Sequence, residues 1–147
     1  MKVKLDISSE ILEDIVIIEA QSMSEQITHL VTYIQNLDKR TTSLTVKKGE
    51  QIYLVDYASI VRLYLQDKIL QVETEEDSFT SNLRLYQVKD MLPVHFLQIS
   101  QSEIVQIRQL DNLKLTPNGM VKLFMKNGSI TYSSRRYLKT IKERLGL

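Results

Sequence analysis

The run Tyr132-Ser133-Ser134-Arg135-Arg136-Tyr137 holds the residue types in this chain best suited to grip a charged ligand. Two serines precede two arginines, and an apolar-periodic tail follows at Tyr137, Leu138, Ile141 and Leu145. The pattern predicts a helix capped by Ser134 or Ser133. Arginine is an odd choice at that end, which already carries partial positive charge from the helix dipole. Two cations there cost a little stability unless an anion sits opposite. The free N–H groups of a first helical turn and two guanidinium forks would together receive a phosphate. A pair of solvated surface arginines is the plainer alternative.

Other chemistry is hard to assemble from this sequence. His29 and His95 have no second histidine or carboxylate at ligand spacing, so both read as structural. There is no cysteine, which excludes disulfides, thiolate metal sites and cysteine nucleophiles. The acidic cluster Glu73, Glu75, Glu76, Asp77 lacks the glycine and alternating oxygen ligands of a calcium loop and reads as a solvated hairpin turn. No Gly-rich phosphate loop, Gly-x-Ser-x-Gly elbow or His-Glu-x-x-His is present. Asp56, Asp67 and Asp111 stand near turns without a partner for general acid–base work. The sequence therefore argues against an enzyme, and no cofactor, metal or small-molecule substrate is expected.

Charge points the same way as the arginines. The net charge is only +1, but residues 93–147 carry nine Lys/Arg against three Asp/Glu. Residues 1–42 carry four against seven, and residues 43–92 six against eight. Such asymmetry points to nucleic acid or an anionic membrane surface. The start, Met1 to Asp6, has no apolar core and so is no signal peptide, and the longest apolar cluster, Ile15 to Ile18, is far too short to span a bilayer. A cytoplasmic protein is expected.

The elements that must position these residues are mostly strands. Met1 to Ile7 alternates, with Val3, Leu5 and Ile7 on one face, and Ile15-Val16-Ile17-Ile18 reads as a buried strand. Ile27, Leu30, Val31, Ile34 and Leu37 form a helical stripe with Ser24 as its cap. This strand–strand–helix unit, residues 1–42, ends near Asp38 to Thr42 and offers a dimer or partner surface. The plainer reading, and the one favoured, is that its helix simply covers one face of a sheet. Beyond it, residues 43–147 read as one domain. Strands are predicted at Leu44 to Val46, Ile52 to Val55, Ser59 to Leu65, Lys68 to Thr74, Phe79 to Ser81, Phe96 to Ile99 and Glu103 to Leu110. A helical segment from Asn82 stops at Leu92-Pro93, where proline disfavours continuation. Val121 to Met125 and Ser129 to Tyr132 flank Lys126-Asn127-Gly128, a strong hairpin signal. The fold class is mainly β with short helices (α+β).

Several of these pieces resemble one family in order and spacing. Phe96-Leu97-Gln98-Ile99-Ser100-Gln101-Ser102-Glu103-Ile104-Val105-Gln106 is similar to the signature F-x-R-I-x-[KR]-S-x-I-V-N of the bacterial LytTR DNA-binding domain. Lys126-Asn127-Gly128 and Ser134-Arg135-Arg136-Tyr137 resemble its closing segment, and the likeness runs over residues about 44–147. It implies an antiparallel β domain in a transcription regulator whose loops and strand ends enter successive major grooves of double-stranded promoter DNA. It also implies paired repeats bound by a homodimer. Carried onto this sequence, the principal contacts are Gln101, Arg136 and Lys68, with Arg135, Ser134 and Lys139 on phosphates. Gln98, Ser100, Ser102 and Gln106 of the signature run complete the DNA-binding set. Arginine suits a bidentate contact to guanine and glutamine one to adenine, while hydroxyls suit phosphates.

This chain departs from the family pattern at three places. Gln98 stands for arginine, Gln101 for a basic residue and Gln106 for asparagine. If Gln98 and Gln101 replace phosphate contacts, salt sensitivity falls by about 0.9 in the log–log slope for each. No receiver-domain pattern precedes the domain, and the resemblance to short members of the family implies a small membrane protein as inhibitor. The competing reading is a protein-interaction module, or an antagonist that associates with a DNA-competent partner and binds DNA weakly. Docking on an anionic membrane is poorer, because the terminal helix lacks a large aromatic-and-basic face.

Overall fold

From Ser43 onward the apolar runs pair into antiparallel ladders, as β-branched and aromatic residues on a pleated surface should. The computed structural model describes residues 1–35, 37 and 42–147. The chain divides into two units, residues 1–40 and 41–147. Of the boundary expected at Asp38 to Thr42, only Thr42 is among the described residues.

Among its described residues the second unit holds ten strands and two α-helices. β1 (Ser43–Lys48), β2 (Gln51–Asp56), β3 (Ile60–Gln66), β4 (Ile69–Thr74), β5 (Ser78–Ser81), β6 (Phe96–Ser100) and β7 (Glu103–Gln106) form one sheet, in the order β2-β1-β5-β4-β3-β7-β6. β8 (Leu110–Leu115), β9 (Val121–Met125) and β10 (Ile130–Tyr132) form a second, in the order β10-β9-β8. One helix (Leu85–Met91) follows β5 and another (Leu138–Leu145) ends the unit; with Glu25–Gln35 of the first unit as α1, these are α2 and α3.

The strands β3, β6 and β7 are apolar on both faces, and each face has its own cover. Leu63, Phe96 and Ile104 join Leu85, Val88 and Leu92 of the α2 segment in one core. Val61, Leu97, Ile99 and Val105 join Val121, Leu123 and Met125 of β9 and Ile141 of α3 in the other. This is why apolar residues come in adjacent pairs here and not in simple alternation. Each fully buried side chain of this size contributes about 1.5–3 kcal/mol.

Expectation and structure part at the end of β7 and at the acidic cluster. The strand predicted from Glu103 to Leu110 stops at Gln106, and a 3-10 turn at Ile107–Gln109 carries the chain into β8 and the other sheet. Gln106 is 1% exposed, and its Nε2 donates to the carbonyl oxygens of Tyr57, Ala58 and Ile60. That clamp holds the corner where the chain changes sheets. The acidic cluster is not a merely solvated turn either. Glu73 accepts from Arg62 (3.0 Å), Asn127 (3.0 Å) and Ser129 (2.6 Å), so it ties β4 to the β9–β10 hairpin. Burial works against the Glu73 charge, but the Arg62, Ser129 and Asn127 bonds together hold its pKa below the usual value. Glu103, facing the same Arg62 at 3.4 Å, is pushed up by burial, which outweighs its bonds from Thr131 and Arg62.

Among its described residues the first unit shows a helix but not the two strands expected before it. Ser24 caps α1 as predicted, its Oγ accepting the Ile27 N–H at 3.2 Å, and Ile27, Leu30, Val31 and Ile34 form a half-buried stripe. Residues 1–24 carry no β pairing. Val3, Leu5 and Ile7 are exposed, as are Ile15, Val16 and Ile17. Alternation and β-branching make a segment able to be a strand, but a ladder needs a neighbour, and none is supplied here.

Candidate nucleic-acid interface

Three turns of the second unit carry the residues singled out in the sequence. The first is the two-residue turn Asp67-Lys68 between β3 and β4, closed by the pair Gln66 and Ile69. Both central residues have positive φ, 52° and 66°, the geometry of a primed hairpin turn. Lys68 stands exposed at its tip. The second is Gln101-Ser102 between β6 and β7, closed by the pair Ser100 and Glu103. The Ser102 N–H donates to Ser100 Oγ at 3.2 Å, and the two hydroxyls lie 3.3 Å apart in a hydrogen bond. Gln98 Nε2 donates to the Ser100 carbonyl at 2.9 Å, which stiffens the same turn from below. Gln101 itself is exposed.

The third is the arginine segment, and its local structure departs from the predicted one. Arg135–Tyr137 form a 3-10 turn ahead of α3, and neither serine makes a side-chain cap bond. Ser133 is 1% exposed, and its Oγ accepts the Val121 N–H at 2.9 Å, which fixes the start of β9. Ser134 Oγ is withdrawn from solvent and has no partner among the described residues, so it does not present a hydroxyl to a phosphate. Arg135, Arg136 and Lys139 are exposed, as the sequence required.

Backbone hydrogen bonds join the three turns. The Leu65 N–H, next to the Lys68 turn, donates to the Ser102 carbonyl at 2.9 Å. The Ser134 N–H donates to the Ile99 carbonyl at 2.9 Å, so the arginine turn is tied to β6 beside Gln101. No ion pair is recorded for Lys68, Arg135, Arg136 or Lys139 among the described residues, whereas the cation of Arg62 is matched by Glu73 and Glu103. These four cations, like most others in the chain, stand without a carboxylate partner among the described residues. Gln106 does not belong with them, since its amide is occupied inside the protein. Among the described residues no group of three or more His, Asp and Glu could hold a metal, and no helix is long and apolar enough to cross a membrane.

The sequence foretells the α2 helix but not its place beside these turns. A cavity of about 450 Å³ brings Lys68, Gln98 and Gln101 together with Arg84, Tyr86 and Lys89. The only signal was that these three fall at the exposed positions of a helical pattern whose buried ones are Leu85 and Val88.

Comparison with known proteins bears on the family and the fold. The LytTr DNA-binding domain family matches residues 50–146. An uncharacterized HTH-type transcriptional regulator of Staphylococcus aureus (strain MSSA476) is 35% identical over 147 residues, 100% of this chain and 99% of its own length. A counterpart from strain MRSA252 is 34% identical over the same span. Among solved structures, the LytTr DNA-binding domain of a methyl-accepting/DNA response regulator from Bacillus cereus superposes with a TM-score of 0.70 at 23% identity, covering 73% of this chain and 99% of that one. The family match over two-thirds of the chain and the full-length relatives settle the point: the chain belongs to the LytTr DNA-binding domain family.

Proposed function

We propose that this protein is a transcriptional regulator that binds double-stranded promoter DNA with the Lys68, Gln101 and Arg136 turns in successive major grooves. Arg136 and Gln101 read base edges, while Arg135, Lys139 and the serine hydroxyls at positions 100 and 102 hold the backbone. The observation that carries this reading is the pair of backbone bonds, Leu65 to Ser102 and Ser134 to Ile99, joining the three turns. Bidentate base contacts need side chains held within a fraction of an ångström, and only a rigid mount supplies that. Two protomers on paired repeats, acting in the cytoplasm and restrained by a small membrane protein, complete the proposal.

The test is a titration of the purified chain against DNA from upstream of its own gene in 50 and 200 mM salt, with Arg136→Ala alongside. Loss of a bidentate base contact is expected to cost roughly 1–3 kcal/mol. Unchanged affinity and site preference in the variant would sink the assignment. A second reading, an antagonist acting through protein association, is favoured by the exposed Val3, Leu5, Ile7 and Ile15–Ile17. It predicts stable self- or hetero-association with DNA binding that vanishes equally for any sequence as salt rises. Of the glutamines at 98, 101 and 106 that depart from the family pattern, Gln106 is buried and does not bear on it.

A further inference from the structure

The cavity beside the Lys68 and Gln101 turns has a one-sided charge. Three of its lining residues, Lys68, Arg84 and Lys89, are cationic, and none is acidic. Asp90, the acidic residue of α2, is not part of the lining. No ion pair is recorded for any of the three cations among the described residues. The helix cannot turn these side chains away. Leu85 and Val88 are locked into the core with Leu63, Phe96 and Ile104, so Arg84, Tyr86 and Lys89 stay on the exposed side. Clustered cations without counter-charges raise the local potential and are stabilised by a polyanion.

We propose that α2 is a fourth DNA-contacting element, with Arg84 and Lys89 on backbone phosphates beside the groove that Lys68 and Gln101 enter. This rests on the DNA-binding reading above and adds to it a helix that reads no bases. A turn in a major groove brings the bordering sugar–phosphate strand against whatever flanks that turn, and here the flank is α2. Tyr86, 69% exposed between the two cations, adds a hydroxyl donor of the kind that bonds phosphate oxygens. A contact of this type adds affinity and salt dependence without sequence preference.

The experiment compares wild type, Arg84→Ala, Lys89→Ala and Lys126→Ala on the promoter duplex and on a scrambled one, between 50 and 200 mM salt. Lys126 is the charge control. Its neighbour Asn127 bonds Glu73 at the far end of β4 from the Lys68 turn. Removing one phosphate contact is expected to lower the log–log salt slope by about 0.9, so that each α2 variant loses about 3.5-fold less affinity across that range than wild type. Its preference for promoter over scrambled DNA should stay as in wild type, and Lys126→Ala should leave the slope unchanged. Arg84→Gln and Lys89→Gln, which keep the aliphatic stem, repeat the test should either alanine variant lower the melting temperature.

Wild-type slopes in both α2 variants, with Arg136→Ala still defective, would overturn this proposal and leave the DNA-binding reading standing. An equal fall for Lys126→Ala would overturn it too, by reducing the effect to net charge. Wild type that binds no DNA would overturn both readings. The remaining outcome concerns a small anion as occupant. Stabilisation of wild type but not Arg84→Ala by inorganic phosphate at constant ionic strength, with no change in DNA slope, would make the cavity a phosphate site and overturn the DNA contact.

Discussion

Ile15-Val16-Ile17-Ile18 and the pairs Ile60-Val61 and Ile104-Val105 are written in the same residues and meet opposite fates. Ile15, Val16 and Ile17 are 74%, 62% and 79% exposed, whereas Ile60, Val61, Ile104 and Val105 are at most 1% exposed. The difference lies in what stands beside them. β3 has β4 on one side and β7 on the other, with Leu63 opposite both Val72 and Ile104. Residues 15–18 pair with nothing. Strand propensity measures how well a side chain fits a pleated, half-buried surface, so it yields a strand only where the rest of that surface exists.

Truncation is the strongest way to break this comparison. Leu63→Ala or Ile104→Ala should cost about 2–5 kcal/mol in urea unfolding, because each leaves a cavity in a covered core. Ile17→Ala should fall within about 0.5 kcal/mol, as exposed substitutions do. A large cost for Ile17 at high protein concentration only would mean that self-association supplies the missing neighbour. Next in size is Gln106→Ala, expected at about 1–3 kcal/mol, since carbonyls of the Tyr57–Ile60 segment lose their donor. Gln101→Ala should leave the unfolding midpoint alone and change only DNA binding; the opposite pattern would reverse the roles given to the two glutamines.

The smallest effect separates two glutamates that share Arg62. Glu73 has a folded pKa below its usual 4.5, so its contribution is present above 4.5 and is lost as pH falls through the lower, folded value. Glu103 has a folded pKa above 4.5, so its contribution is full below 4.5 and is lost as pH rises through the folded value. Urea midpoints taken from neutral into acid should therefore show Glu73→Gln weakening the protein most at neutral pH. Glu103→Gln should do the reverse, strengthening it at neutral pH with the gain fading in acid. Parallel curves for the two variants would mean that they act as one group.

Much of the second unit was legible because its signals are local. Asn127-Gly128 marks the β9–β10 turn, with Gly128 at φ 92°, and Pro93 marks where α2 has stopped. Arg135, Arg136 and Lys139 are exposed, as their charge demands. What failed depended on distant partners. The spacing of Ser133 and Ser134 fits a helix cap, yet Ser133 serves the first amide of β9, twelve residues earlier in the chain. Gln106 lies in a run resembling a DNA-binding signature, and only the nearness of the Tyr57–Ile60 carbonyls turns it inward. β8 alternates leucine with Asp111, Asn112 and Lys114, too polar to be read as a strand without β9 beside it.

The Lys68 turn has a consequence for how far this protein can be improved as a material. Left-handed backbone disfavours a residue with a Cβ by roughly 1–2 kcal/mol, and here two successive ones, Asp67 and Lys68, adopt it. At the β1–β2 and β9–β10 hairpins the corresponding strain is avoided by Gly49 and Gly128. Glycine at position 68 would therefore be the obvious choice for anyone seeking a higher melting temperature. On the function proposed above it would also blunt one of the three turns that enter the grooves. Thermal robustness and operator recognition then compete for a single position, and a selection for heat resistance alone would be expected to erode the regulator there first.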